Sequence, residues 1–308
     1  MAYGFGKVIL LGEHAVVYGK GALVCGLSRG VRAEPSHASN FSLHIQPWQL
    51  RIEHGTSIAT KDSREHSVAE AFCKLIESYG PTRASVAITV TVDLEPSAGL
   101  GCSAALGVAL VRAINKQLGI QENSHAIEAR ALEWEKVFHG NPSGVDTAAA
   151  TYGGLLYFSP ERNVETVSAT SPFFLVIAHS GQSSLTKDMV SSVKHQHEKD
   201  PRRVGVVIDG IESLVLNAKS ALEQGDLEKV GTYLSLNHAL LSSLLLCTPK
   251  LDEMCERAKT AGALGAKVTG AGGGGCMLAL CRAQGEANAV KQALSELSAL
   301  CVIESVGG

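Results

Sequence analysis

Two carboxylates on either side of a helix break are the residues of this chain best suited to chemistry. Glu135 and Asp146 are separated by Asn141-Pro142, and proline supplies no N–H to a helix ladder, so the chain is expected to turn there and aim both acids at one cleft. Such a pair can divide the work of phosphoryl transfer to an alcohol. One carboxylate holds Mg²⁺, which prefers hard oxygen ligands, and the other takes the proton of the attacking hydroxyl. The plain alternative is a charged helix face made by Glu133, Glu135 and Lys136, and the sequence leaves it open.

Two glycine-rich segments could supply the rest of a nucleotide site. Ser97-Ala98-Gly99-Leu100-Gly101-Cys102-Ser103-Ala104-Ala105 stands between a strand-like and a helix-like stretch. Free backbone N–H groups and the positive end of a helix dipole hold phosphate at such a junction. The segment is neither GxxxxGK[ST] nor GxGxxG, which excludes the common P-loop and the dinucleotide fingerprint. Gly-x-Gly alone would read as a tight turn, but the flanking strand and helix and the Ser103 hydroxyl favour phosphate. That hydroxyl could cap the helix or ligate Mg²⁺, and the two roles compete. Further on, Gly270-Ala271-Gly272-Gly273-Gly274-Gly275 runs between apolar, strand-like segments. Its backbone entropy cost points to close approach of the chain to a ligand rather than to a linker.

Lys7, Glu13 and His14 flank the apolar run Val8-Ile9-Leu10-Leu11. Taken singly, Lys7 or His14 reads first as an ordinary strand end.

The elements that must position these groups follow from periodicity. Strands are expected near 5–11, 22–33 and 41–53. A helix near 64–79 buries Val68, Ala71, Phe72, Leu75 and Ile76, and a β-branched strand follows at 86–92. Helices near 103–118 and 124–139 come next, the first ended by Gly119 and the second opened by Ser124 as N-cap. Pro142 is expected to open a further short helix. After a strand at 155–158, the polar stretch 159–171 is the expected domain boundary. Beyond it come a strand at 173–178, three or four helices between 186 and 261, strands at 266–269 and 276–281, a helix near 285–298 and a strand at 300–305. That order would build a second α+β domain.

Composition narrows the functional classes. The 308 residues suffice for two cores, with 45% hydrophobic and 19% charged residues, as in ordinary globular proteins. A formal net charge of -3 and no basic cluster argue against nucleic acid as a partner. No leader-like N-terminus and no apolar run of about 18 residues is seen, so no membrane association and a cytoplasmic location are expected. The eight cysteines are scattered with no CxxC pair, and are expected to be reduced and structural.

Three segments, Lys7 to Gly19, Gly99 to Ala105 and Lys267 to Cys276, resemble in order and spacing the motifs of the GHMP kinase superfamily. The resemblance implies an α+β, two-domain GHMP kinase fold. Residues 1–165 would form a ribosomal protein S5 domain 2-like N-terminal domain with a left-handed βαβ unit, and residues 166–308 a ferredoxin-like C-terminal domain carrying the third, glycine-rich motif. It implies ATP phosphates on Ser97, Ala98, Gly99, Leu100, Gly101, Cys102, Ser103 and Ala104, and Mg²⁺ on Ser103 and Glu135. Asp146 takes the catalytic aspartate position with Lys7 beside it. Glu13, His14, Asp146, Thr186, Gly272 and Gly273 fall on the substrate side.

Within the superfamily, Gly12 to Gly19 and His139 to Asp146 are most similar to the members that act on mevalonate. The implied reaction is ATP-dependent phosphorylation of its C5 hydroxyl to 5-phosphomevalonate and ADP, in the mevalonate route to isoprenoids. Kinases of phosphomevalonate, galactose or homoserine, and a non-catalytic ligand sensor, are the alternatives. The implied partners are mevalonate and ATP, and a homodimer is left open. The chain departs from the family where the loop usually reads Pro-Pro-Gly-x-Gly-Leu-Gly-Ser-Ser, because Glu95-Pro96-Ser97-Ala98 opens it and Cys102 replaces the first serine. The second serine, Ser103, keeps the magnesium position.

Overall fold

Residues Ala2–Leu11 form β1, whose last six positions are all buried, Lys7 among them. The computed structural model describes residues 2–55, 62–80, 85–95, 98–159, 161, 163–183 and 185–307, without the side chains of residues 63 and 64. After a 3-10 turn at Ala15–Tyr18 come β2 (Ala22–Ala38), β3 (Ser42–Ile45) and β4 (Leu50–Glu53). The stretch 41–53, expected as one strand, is broken at Gln46–Trp48 by a 3-10 turn with proline at its start, because Pro47 has no N–H for a ladder. Next are α1 (Ser63–Glu77), β5 (Ser85–Val92), α2 (Cys102–Leu118), α3 (Ser124–His139) and α4 (Val145–Tyr152).

Two helix starts differ from expectation, and one alternative left open is decided. Asn123, not Ser124, caps α3, its side chain accepting from Ala126 N at 2.9 Å. Pro142 does not open α4, which starts at Val145 after Gly144 in a left-handed conformation. Ser103 is no cap for α2, whose N-cap is Gly101 at φ 73°.

The chain continues through β6 (Leu155–Phe158), β7 (Val164–Thr166), β8 (Phe173–His179), α5 (Thr186–Lys199), α6 (Pro201–Gln224), α7 (Leu227–Ser243) and α8 (Pro249–Thr260). It ends with β9 (Gly265–Thr269), β10 (Cys276–Cys281), α9 (Gln284–Ala293) and β11 (Leu300–Val306). The helix expected to reach residue 298 stops at Ala293. The polar stretch 159–171 contains the short strand β7, antiparallel to β6.

By packing, the chain forms two units, each assembled from separate segments. The first comprises Met1–Lys7, Leu27–Glu95 and Gly101–Gly153, and the second Val8–Gly26, Pro96–Leu100 and Gly154–Gly308. The linear division at 165/166 expected from the sequence does not foresee this interleaving. In the first unit β5 pairs antiparallel with Val31–Ala38 of β2 and parallel with β3, which pairs antiparallel with β4. Helix α1 buries Val68, Ala71, Phe72, Leu75 and Ile76, and α2 buries Leu106, Ala109, Leu110, Ala113 and Ile114, as their spacing predicts.

In the second unit, Ala22–Cys25 of β2 pairs with β6. A four-stranded antiparallel sheet runs β11-β8-β10-β9. Counted along the chain as first to fourth strands, that order is 4-1-3-2, and helices connect the first to the second and the third to the fourth. This is the ferredoxin-like arrangement. Among the described residues, no helix is long and apolar enough to cross a membrane.

Candidate active site

In the first unit, four of the expected site residues meet. Lys7, on buried strand β1, extends its ammonium to within 3.0 Å of Asp146 Oδ1 in the first turn of α4. Lys7 is 6% exposed and Asp146 36%, so the lysine is set in the wall while the carboxylate faces outward. Ser103, one residue inside α2, donates its hydroxyl to Glu135 on α3. The α2–α3 contact is fixed from beneath by Trp134, whose indole Nε1 donates to Ser103 O at 3.1 Å and whose ring lies where a Cβ on Gly107 would collide. Gly107 has to be glycine for this reason.

Glu135 is 2% exposed, with His139 Nε2 at 3.5 Å from its second oxygen. Burial pushes its carboxyl up to about 8; the Ser103 hydrogen bond opposes this, Asp146 reinforces it and Lys7 opposes it. A buried carboxylate that resists ionisation, beside a hydroxyl, is a hard oxygen donor set that gains from a divalent cation. The residues present therefore fit Mg²⁺. The reading of Glu135 as part of a solvated face falls with its burial, whereas Glu133 and Lys136 do pair on the exposed side, at 2.5 Å.

Gly101 serves this arrangement directly. A Cβ there would stand 2.7 Å from Lys7 Cγ, and its φ of 73° suits glycine. Cys102 and Ala104 continue into the first turn of α2, with Ala104 fully buried.

The second unit gathers the remaining residues. Ala98 and Leu100 are buried. A Cβ on Gly275 would be 3.8 Å from Ala98 O, and one on Gly270 4.0 Å from Gly99 O, so the 98–100 segment lies along the glycine run. Ser97 lies outside the described residues. The run, expected to approach a ligand, also approaches protein. Gly273 N donates to Leu246 O at 2.7 Å, and a Cβ on Gly272 would stand 2.4 Å from that same oxygen. Thr186 opens α5.

His14 adopts φ 59° and ψ −41°, and across it Ala15 N donates to Glu13 O at 2.7 Å. This three-residue γ-turn is a form that L residues rarely take, at a cost on the order of 1–3 kcal/mol. The imidazole Nε2 donates to Ala271 O at 2.9 Å, and burial lowers its pKa, so the ring is neutral with Nδ1 as its acceptor. Glu13, expected on the substrate side, is 1% exposed and bound within the protein by Lys267 and Asn237.

Sequence reasoning assigned no role to Lys267 or Asn237, which are fully buried here. The five residues of β9, Lys267 included, are all buried. Near them His238, Cys247 and Asp252 bring donor atoms within 4.8 Å of one another. Val268 N donates to His238 Nδ1 at 3.3 Å, which leaves the proton on Nε2, 3.1 Å from Asp252 Oδ1. Cys247 Sγ also lies 3.6 Å from His238 Nδ1, so both imidazole nitrogens already have protein neighbours. The described cysteines form no disulfide.

These features agree with what known proteins show. The profile of the GHMP kinases N terminal domain matches residues 66–154, and that of the GHMP kinases C terminal matches residues 218–299. The mevalonate kinase of Methanothermobacter thermautotrophicus is 35% identical over 275 residues, covering 89% of this chain and 88% of that protein. The mevalonate kinase of Pyrococcus furiosus is 29% identical over 292 residues, covering 89% and 86%. Among solved structures, L. major mevalonate kinase in complex with R-mevalonate superposes with a TM-score of 0.86 at 26% identity, covering 99% of this chain and 94% of that one. The chain belongs to the GHMP kinases, ATP-using enzymes that act on small molecules. Within that family, the two curated relatives just named, each matched over 89% of this chain, are mevalonate kinases.

Proposed function

We propose that this protein transfers the γ-phosphoryl group of ATP to the C5 hydroxyl of (R)-mevalonate, giving 5-phosphomevalonate and ADP. The observation that carries the reading is the 3.0 Å contact of Lys7 with a partly exposed Asp146, in the unit that also holds the Ser103–Glu135 pair. The extent of likeness to mevalonate kinases supports the choice of alcohol.

Phosphoryl transfer asks a protein chiefly to orient its reactants and offset spreading negative charge. Asp146 accepts the C5 hydroxyl proton as that oxygen bonds to phosphorus and the bond to the ADP oxygen breaks. The Lys7 ammonium offsets the charge on the carboxylate and on the attacking oxygen. Backbone N–H groups of Ala98, Gly99, Leu100, Gly101, Cys102, Ser103 and Ala104, together with Ser97, bind the phosphates. Mg²⁺, held by Ser103 and Glu135, would supply positive charge against the phosphate oxygens. His14, Thr186, Gly272 and Gly273 serve the substrate side. Glu13 stands apart from them because its carboxylate is already committed inside the protein.

A cytoplasmic location, with mevalonate and ATP as the partners, completes the proposal; sedimentation would test the homodimer. The deciding experiment measures ATP consumption with mevalonate, phosphomevalonate, galactose and homoserine. Turnover is expected with mevalonate, and a larger kcat/KM on another of these alcohols would overturn the assignment. Single-turnover phosphorylation separates all of them from a ligand sensor.

A further inference from the structure

The γ-turn at His14 is strained, and backbone strain persists only where the surroundings over-determine it. Beside this turn lies a buried set of polar groups to which the proposed reaction gives no role. Glu13, the residue before His14, accepts from Lys267 Nζ on one carboxylate oxygen and from Asn237 Nδ2 on the other, the latter at 3.2 Å. Lys267 also donates to Val268 O at 2.5 Å. The three side chains are 1%, 0% and 0% exposed. They come from the loop after β1, from β9 and from α7, three elements more than 200 residues apart at the extremes. His14 Nε2 completes the set through Ala271 O, inside the glycine run.

We propose that Lys267 and Asn237 are positioning residues. They lock the Glu13 carboxylate, and through it they hold His14 in its turn against the glycine run. Glu13 is then a fastener of the first motif to the third and does not touch the alcohol. The inference rests on reading this site as that of a kinase.

Chemistry favours this division of labour. A buried ion pair is weak evidence of added stability, because desolvation of both charges offsets their attraction, but removing one partner strands the other charge. Such a pair is a device for geometry. A carboxylate meant to receive substrate would need an accessible oxygen, and both oxygens of Glu13 are buried and engaged.

The test uses Glu13→Gln, Lys267→Met and the double variant in the full-length protein, with Tm and kcat/KM for the alcohol both measured. Each single change should lower Tm and reduce kcat/KM by about 10²-fold. The double variant, with no charge left unpaired, should regain most of the Tm and return to within about 10-fold of the unmodified protein in kcat/KM. A double variant that regains Tm while staying as slow as Glu13→Gln overturns the proposal, because the carboxylate would then serve the substrate directly. Recovery of neither quantity also overturns it.

Should the double variant fail to fold, Asn237→Ala decides. It keeps the ion pair, and a drop in kcat/KM of about 10-fold is expected; an unchanged kcat/KM sinks the idea. The alcohol is whichever of the panel the unmodified protein phosphorylates. Absence of any turnover therefore counts against the kinase reading, while the coupling seen in Tm still judges the lock.

Discussion

The protein contains two lysine–carboxylate pairs built to different ends. Lys7–Asp146 in the first unit keeps its carboxylate 36% exposed, and Glu13–Lys267 in the second is sealed at 1% and 0%. In the open pair the cation is fixed by the wall while the anion stays partly exposed. In the sealed pair every acceptor of the carboxylate is used within the protein. The same two residue types give a reactive group in one place and a fastening in the other, and exposure of the carboxylate decides which.

That contrast can be broken most severely by Asp146→Asn. It removes a proton acceptor and leaves the packing of α4 unchanged, so kcat should fall by about 10²–10⁴-fold while ATP binding and Tm stay close to the unmodified values. An active Asn variant would place Asp146 with the structural pair. Next in size is Gly101→Ala. The added methyl meets Lys7 Cγ at 2.7 Å, and a displacement of the ammonium by about 1 Å should cost about 10²-fold in kcat. Retained kcat would show that the position of Lys7 is not critical.

Ser103→Ala should act more mildly, raising the Mg²⁺ concentration needed for half-maximal rate; an unchanged titration removes this hydroxyl from the metal shell. The smallest effect is read from stability. The Glu135 carboxyl lies near 8 in the folded protein against an ordinary 4.5. Between those values the folded state holds a proton that the unfolded state releases, so without divalent cation Tm should fall as pH rises from about 4.5 to about 8. Glu135→Gln should flatten that slope, and an identical slope in the variant would mean that Glu135 does not cause it.

Much of this arrangement was legible in the sequence because its parts are local. The apolar spacing of α1 and α2 gave their buried faces, and the glycines around Ser103 marked a strand-to-helix junction. Lys7, Ser103, Glu135 and Asp146 do come together as their motifs imply. The sealed pair was not legible to the same degree. Asn237 sits in Ser235-Leu236-Asn237-His238-Ala239, an unremarkable helix segment, and its partner Glu13 lies 224 residues away. Lys267 was in plain view within the third motif, but nothing local says that all of β9 is buried. The helix starts at Asn123 and Gly144 were missed for a different reason. Ser124 and Pro142 had good local propensity, but the caps fall one residue earlier at Asn123 and two residues later at Gly144.

The path of the backbone limits how this enzyme can be divided. Residues Val8–Gly26 pack with the C-terminal half, while Met1–Lys7 and Leu27–Glu95 on either side of them in sequence belong to the first unit. A gene fragment ending at Gly153 would carry away the segment that pairs with β6 and leave Ala22–Cys25 without its neighbour. No single cut yields two self-contained pieces, and because each unit takes three alternating segments of the chain, joining the termini and cutting elsewhere would not yield them either.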